Sequence, residues 1–138
     1  MLLSKFLVSV LFVLAYSHAE VFEFQEWRFK SEVKSFVFIE DEGIYITLSC
    51  VLFLGKVPEI KPHCLSKLNE MKASVSKLDS SKLKNGKNPG AVACRELYDG
   101  RVRFAENING DQKTFCEFSE KFLIDNLWIT KIYAKSKN

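Results

Sequence analysis

The spacing of apolar and polar residues changes several times along this chain, and each change predicts an element. In residues 21–29 (VFEFQEWRF), Phe22 and Phe24 stand at strand spacing. Trp27 and Phe29 repeat that spacing after a change of phase, which a bulge near Gln25 and Glu26 would produce. The aromatic row reads as core; the alternative, an exposed binding strip, would need a large apolar surface patch. Residues 33–39 read as a second strand, closed by a turn at Asp41, Glu42 and Gly43. Residues 44–54 then form the longest predicted strand. Ile44, Ile46, Leu48, Cys50, Leu52 and Leu54 line one face and Tyr45, Thr47, Ser49, Val51 and Phe53 the other.

Periodicity switches to helical after the prolines at 58 and 62. Cys64, Leu68, Met71, Val75 and Leu78 recur on one face, while Lys67, Asn69, Glu70 and Ser74 fall elsewhere. Residues 79–87 (DSSKLKNGK) are polar and basic and read as a linker between a first half, 20–78, and a second half, 88–138. With Lys72 and Lys77, the linker's Lys82, Lys84 and Lys87 define either a solvated face or a basic edge.

The second half opens on the most informative stretch, residues 88–116. Asn88 suits an N-cap and Pro89 the first helical position, and Asp99-Gly100 is a left-handed stop. Val102 and Phe104 alternate with arginines in a strand, and Asn109-Gly110 signals a tight type I′ hairpin. The return strand carries Phe115, Cys116 and Phe118. Residues 122–124 and 127–133 read as one or two closing strands, followed by a basic tail at 135–138. The predicted fold is α+β: an antiparallel sheet of about five or six strands with two helices packed on one face.

Part of this pattern resembles a known family. Asn88-Pro89-x-x-Val92-x-Cys94, then Gly100, Asn109-Gly110, Phe115-Cys116-x-Phe118 and Trp128 are similar to a small secreted bacterial domain that often carries a haemolysin label. The resemblance covers about residues 88–130. Ala93 stands where the family has an aromatic, and Ser119-Glu120-Lys121 replaces its Asp-Gly-Ser turn. The resemblance implies a secreted bacterial protein and carries no activity.

Compartment follows from the first 19 residues. Lys5, an apolar run over 6–15 and Ser17-His18-Ala19 form a secretory signal whose removal leaves 119 of the 138 residues as a single domain. The expected location is periplasmic or extracellular. The net charge of +3, which includes Lys5, is too small to argue for nucleic acid. An even cysteine count in an exported chain predicts two disulfides, with three pairings formally open. The element assignments favour Cys50 with Cys64 and Cys94 with Cys116, each joining a helix to a strand. Closing the second loop is worth about 3 kcal/mol in the chain-entropy model.

Candidate chemistry is sparse. His63 is the one histidine left after export, and it adjoins a cysteine assigned to a disulfide. No nucleophile elbow, phosphate loop or zinc-protease helix occurs, and the cysteine spacing does not suit zinc. Glu96 with Glu106 or Glu117 forms a carboxylate pair of a kind that any small domain offers. The expectation is a non-enzymatic binding or inhibitor-like module for another protein, without cofactor or metal. Its candidate loops are Asp41 and Glu42 in one turn, and Asn107, Asn109 and Asp111 at the hairpin tip. Two alternatives stand beside it: an envelope-associated protein using the basic linker and exposed aromatics, and a hydrolase with an unrecognised site.

Overall fold

A computed structural model describes residues 22–138; the expected secretory signal lies outside the described residues. Six antiparallel strands close into a barrel, with three helices outside it. The strands are β1 (Phe24–Phe29), β2 (Glu32–Ile39), β3 (Ile44–Thr47), β6 (Arg101–Glu106), β7 (Gln112–Ser119) and β8 (Phe122–Asp125), in the order β1-β2-β3-β8-β7-β6. A separate two-stranded sheet pairs β4 (Val51–Leu52) with β5 (Glu59–Ile60). The helices are α1 (Pro62–Ser74), α2 (Pro89–Glu96) and α3 (Asn126–Ser136). Among the described residues, no helix is long and apolar enough to cross a membrane.

Alternation along the strands sorts side chains into two cores. Val37, Ile39, Ile44, Ile46, Cys116 and Ile124 face outward from the barrel into a mainly aliphatic cluster. There they meet Leu68 and Met71 of α1, Val92 and Ala93 of α2, and Trp128, Ile129 and Ile132 of α3. Trp27, Phe29, Phe36, Ala105, Phe115 and Leu123 form the second core, on the other face of the same strands. Phe115 is its hub, with ring centroids 4.4 Å from Phe36, 5.4 Å from Phe29 and 5.6 Å from Trp27.

Both disulfides form as paired above. Cys50–Cys64 anchors the start of α1, and Cys94–Cys116 ties α2 to β7. The Asn88 side chain caps α2 by accepting from the Ala91 N–H at 3.1 Å. The helix ends with Asp99 at φ +52, and the Gly100 N–H donates to the Cys94 carbonyl at 2.7 Å. A Cβ on Gly100 would lie 2.5 Å from the Cys116 sulfur and 2.9 Å from that of Cys94, so the disulfide excludes every side chain there.

Several expectations are corrected. The strand expected over 44–54 stops at Thr47, and a 3-10 turn over Leu48–Cys50 breaks its phase. The hydroxyls of Thr47 and Ser49 both bond the Lys121 carbonyl, an alternative to the strand ladder. Leu48 and Leu54 consequently lie exposed rather than in the core. The expected C-terminal strand over 127–133 is instead α3: Ile132 lies one turn beyond Trp128 and Ile129 on a buried helical face, and β-branched content hid that period. Lys135 and Ser136 complete that helix rather than begin a tail.

The bulge expected in β1 is absent. β1 pairs with β2 in unbroken register from Phe24↔Val37 to Phe29↔Glu32, so the phase change in the sequence marks two faces of one regular strand. The linker is also partly ordered. Ser80–Leu83 forms a 3-10 turn capped by Asp79, and Leu83 packs on the aliphatic core.

Candidate functional site

The turn between β2 and β3 is braced from behind and open in front. Ile39 and Glu40 carbonyls accept the Gly43 N–H, at 2.8 and 3.1 Å. Trp128 donates its indole N–H to the Glu42 carbonyl at 3.2 Å, and the Lys72 ammonium meets the Glu42 carboxylate at 2.6 Å. Glu42 therefore serves the fold. Glu40 and Asp41 make no ion pair among the described residues and remain on the rim.

Hollows flank this turn on both sides. One, of about 610 Å³, is lined by Phe22, Glu23, Phe38, Asp41, Lys56 and Val57. The other, of about 450 Å³, lies between Asp41, Lys72, Trp128, Ile132 and Lys135. Beside the first hollow, the Phe22 and Phe53 rings meet at 5.3 Å and those of Phe24 and Phe53 at 5.9 Å. Phe24 is 52% exposed and Val57 59%. The aromatic row of β1 thus divides: Trp27 and Phe29 enter the core, as expected, while Phe22 and Phe24 join an outer apolar cluster. The signal for this was in the sequence, since Phe24 shares its parity with Glu26 and Arg28.

A chain of hydrogen bonds connects the rim of the hollow to the aromatic core. The Tyr45 hydroxyl donates to the Glu23 carboxylate at 2.7 Å, and Gln25 donates to Tyr45 at 3.1 Å. The Trp27 indole N–H then donates to the Gln25 side-chain oxygen at 3.1 Å. Burial, and next the hydrogen bond and charge of Glu23, push the Tyr45 phenol up to about 12. Lys113 lies over the Tyr45 and Trp27 rings, 4.4 and 5.5 Å from their centroids, and 3.9 Å from the Asp125 carboxylate. Burial raises the Asp125 pKa, and Lys113 opposes that rise. Apart from Trp27, none of these groups was singled out from the sequence, because it takes four strands, β1, β3, β7 and β8, to bring them together.

The other candidate loop spends its polar groups on itself. The Asn107 side-chain oxygen accepts from the Asn109 and Asp111 N–H groups at 3.0 and 2.9 Å, and its amide donates to the Asp111 carboxylate at 3.0 Å. Gly110 takes φ +83, whereas Asn109 is not left-handed, so a five-residue loop replaces the expected type I′ turn. What that loop presents outward is Ile108, 95% exposed.

The remaining candidates are held in structural pairs. His63 sits 3.3 Å from the Cys64 sulfur, which is bonded to Cys50. Cys50, His63 and Cys64 come within 4.8 Å of one another, but a disulfide offers no thiolate to a metal. Glu96 pairs with Lys82 at 3.0 Å and Glu117 with Arg103 at 2.9 Å, so neither is a spare carboxylate. Lys72 and Lys82, two members of the expected basic edge, are neutralised by Glu42 and Glu96. The chain matches no family model, no curated protein and no solved structure.

Proposed function

We propose that this protein is a small exported binding module, without catalytic activity, whose contact surface is the hollow beside Asp41 together with the outer cluster of Phe22, Phe24 and Phe53. The observation that carries this reading is the cluster itself: three aromatic rings in mutual contact on the surface of a chain that buries Trp27, Phe29, Phe36 and Phe115 elsewhere. Rigid aromatic anchors beside a concavity are what a protein interface uses for affinity. Export is supported by the two disulfides and by the signal-like first 19 residues. The carboxylates of Glu23, Glu40 and Asp41 around the hollow oppose an anionic membrane surface and favour a protein partner.

A photo-crosslinking amino acid placed at position 24, and separately at 108, distinguishes the two candidate surfaces in native envelope extract. Adducts from position 24 alone are expected. Adducts from 108 alone would move the contact to the hairpin tip, and none from either would overturn the binding reading. Intact mass of protein expressed with its own N-terminus should lack residues 1–19; full-length mass would overturn the export step.

A further inference from the structure

We infer that the outer edge of β1 is a strand-addition site for an extended segment of another protein that carries an apolar residue and, two positions away on the same face, a basic one. This inference rests on the binding reading above and specifies the partner's backbone and charge.

The direction of each backbone group in β1 follows from one hydrogen bond. The Phe38 N–H donates to the Glu23 carbonyl at 3.1 Å, so Glu23 faces β2. In an antiparallel ladder the N–H and C=O of one residue point to the same side, and successive residues alternate. Gln25, Trp27 and Phe29 therefore face β2, and Phe24, Glu26 and Arg28 face the opposite edge. Arg28 is met there by Glu106, the last residue of β6 and its one register partner in β1. Beyond that pair the chain leaves the sheet, and the 107–111 loop closes on itself through the Asn107 N–H and Asp111 carbonyl at 3.0 Å. Among the described residues nothing pairs with the backbone N–H and C=O groups of Phe24 and Glu26.

Exposed edges of this kind are usually blunted by proline, lysine or a bulge. This one carries none of them over 24–26, and the exposed side chains beside it are Phe24 and Glu26. Those two side chains define the partner. An added strand places one residue opposite Phe24 and another opposite Glu26 on the same outer face. An apolar side chain in the first position extends the Phe24–Phe53 stack, and a lysine or arginine in the second pairs with the Glu26 carboxylate. A second copy of the chain fits less well. Antiparallel pairing of two β1 strands about Gln25 satisfies all the free backbone groups, but it sets each Phe24 against the carboxylate of the other copy's Glu26.

The test uses the mature, isotope-labelled protein and two acetylated heptapeptides, one carrying valine and lysine two positions apart on a threonine background and the other glutamate in place of that lysine, followed by amide NMR. The lysine peptide should shift and protect the Phe24 and Glu26 amides and bind roughly tenfold tighter than its glutamate twin, reflecting one attractive and one repulsive cross-strand pair. Phe24→Pro removes an edge N–H without removing a bond to β2, so it should abolish binding while thermal unfolding stays near that of the parent. Glu26→Lys, which leaves the backbone alone, should reverse the preference between the two peptides. Equal binding of both peptides, or binding that survives Phe24→Pro, overturns the edge inference and leaves the binding reading standing. Peptide-independent dimers in sedimentation would replace the partner with a second copy, and shifts at neither the edge nor the hollow would overturn both readings.

Discussion

Trp27 and Trp128 lie in the two cores on opposite faces of one sheet, and the chemistry around each differs. Trp128 belongs to an aliphatic layer in which three helices cover Val37, Ile44, Ile46 and Ile124, with both disulfides inside it. Trp27 belongs to an aromatic group with Phe29, Phe36 and Phe115. No covalent tie enters that group, and Arg103 and Lys113 lie over the Phe29 and Trp27 rings, at 5.4 and 5.5 Å. One side is stapled by two disulfides. The other relies on ring shape and on charges placed against ring faces, and the hydrogen-bond chain through Tyr45 and Gln25 runs from it to the rim of the hollow.

Removing the hub of the aromatic group should break this contrast most severely. Phe115→Ala leaves a cavity where three other rings converged, with an expected cost of about 3–5 kcal/mol in urea unfolding. In a Trp128→Phe background, the signal of Trp27 should collapse with it. A loss below about 1 kcal/mol would mean that the rings repack and the interior is less specific than described.

Removing a staple should cost less and report on the other side. Cys94→Ala with Cys116→Ala frees a loop spanning 22 residues of sequence separation, for an expected loss of about 3 kcal/mol. The accompanying change in near-ultraviolet dichroism should appear in a variant retaining only Trp128 and be small in one retaining only Trp27. An equal response of both tryptophans would show that the two cores loosen together.

The smallest expected effect concerns the charges on the aromatic side. Burial holds the Asp125 carboxyl above its ordinary value of 3.8, so the folded chain keeps this proton to a higher pH than the unfolded chain does. The stability associated with that proton is complete below the ordinary aspartate range and is lost as pH rises through the window up to the raised value. Asp125→Asn should flatten the fall in urea midpoint across that window. Lys113→Met should steepen it, because the ammonium is what holds the shift down. An unchanged slope in both variants would remove Asp125 from this account.

Legibility followed the range of the interactions. Asn88, Pro89 and the 99–100 stop announced α2, because capping and backbone conformation act within a few residues. Sequence spacing likewise led to the right cysteine pairs once a helix and a strand had been assigned to each. The loop at 107–111 was placed correctly but not shaped, because the Asn107 side chain displaced the tight turn that Asn109-Gly110 favours. Thr47 and Ser49 ended a strand by bonding a carbonyl more than 70 residues away, which no local pattern reports.

The sequence by itself therefore determined the α+β class, the two disulfides and the start of each of the first two helices. These depend on period, caps and pairing partners that neighbouring residues specify. Tertiary structure alone decided that the sheet closes, that residues 126–136 are helical, and that β6 ends opposite Arg28 and leaves the outward backbone groups of Phe24 and Glu26 without a strand partner among the described residues. Closure and shear depend on how six strands stack around Phe115, so the free edge that the candidate interface uses is a property of the whole barrel rather than of β1.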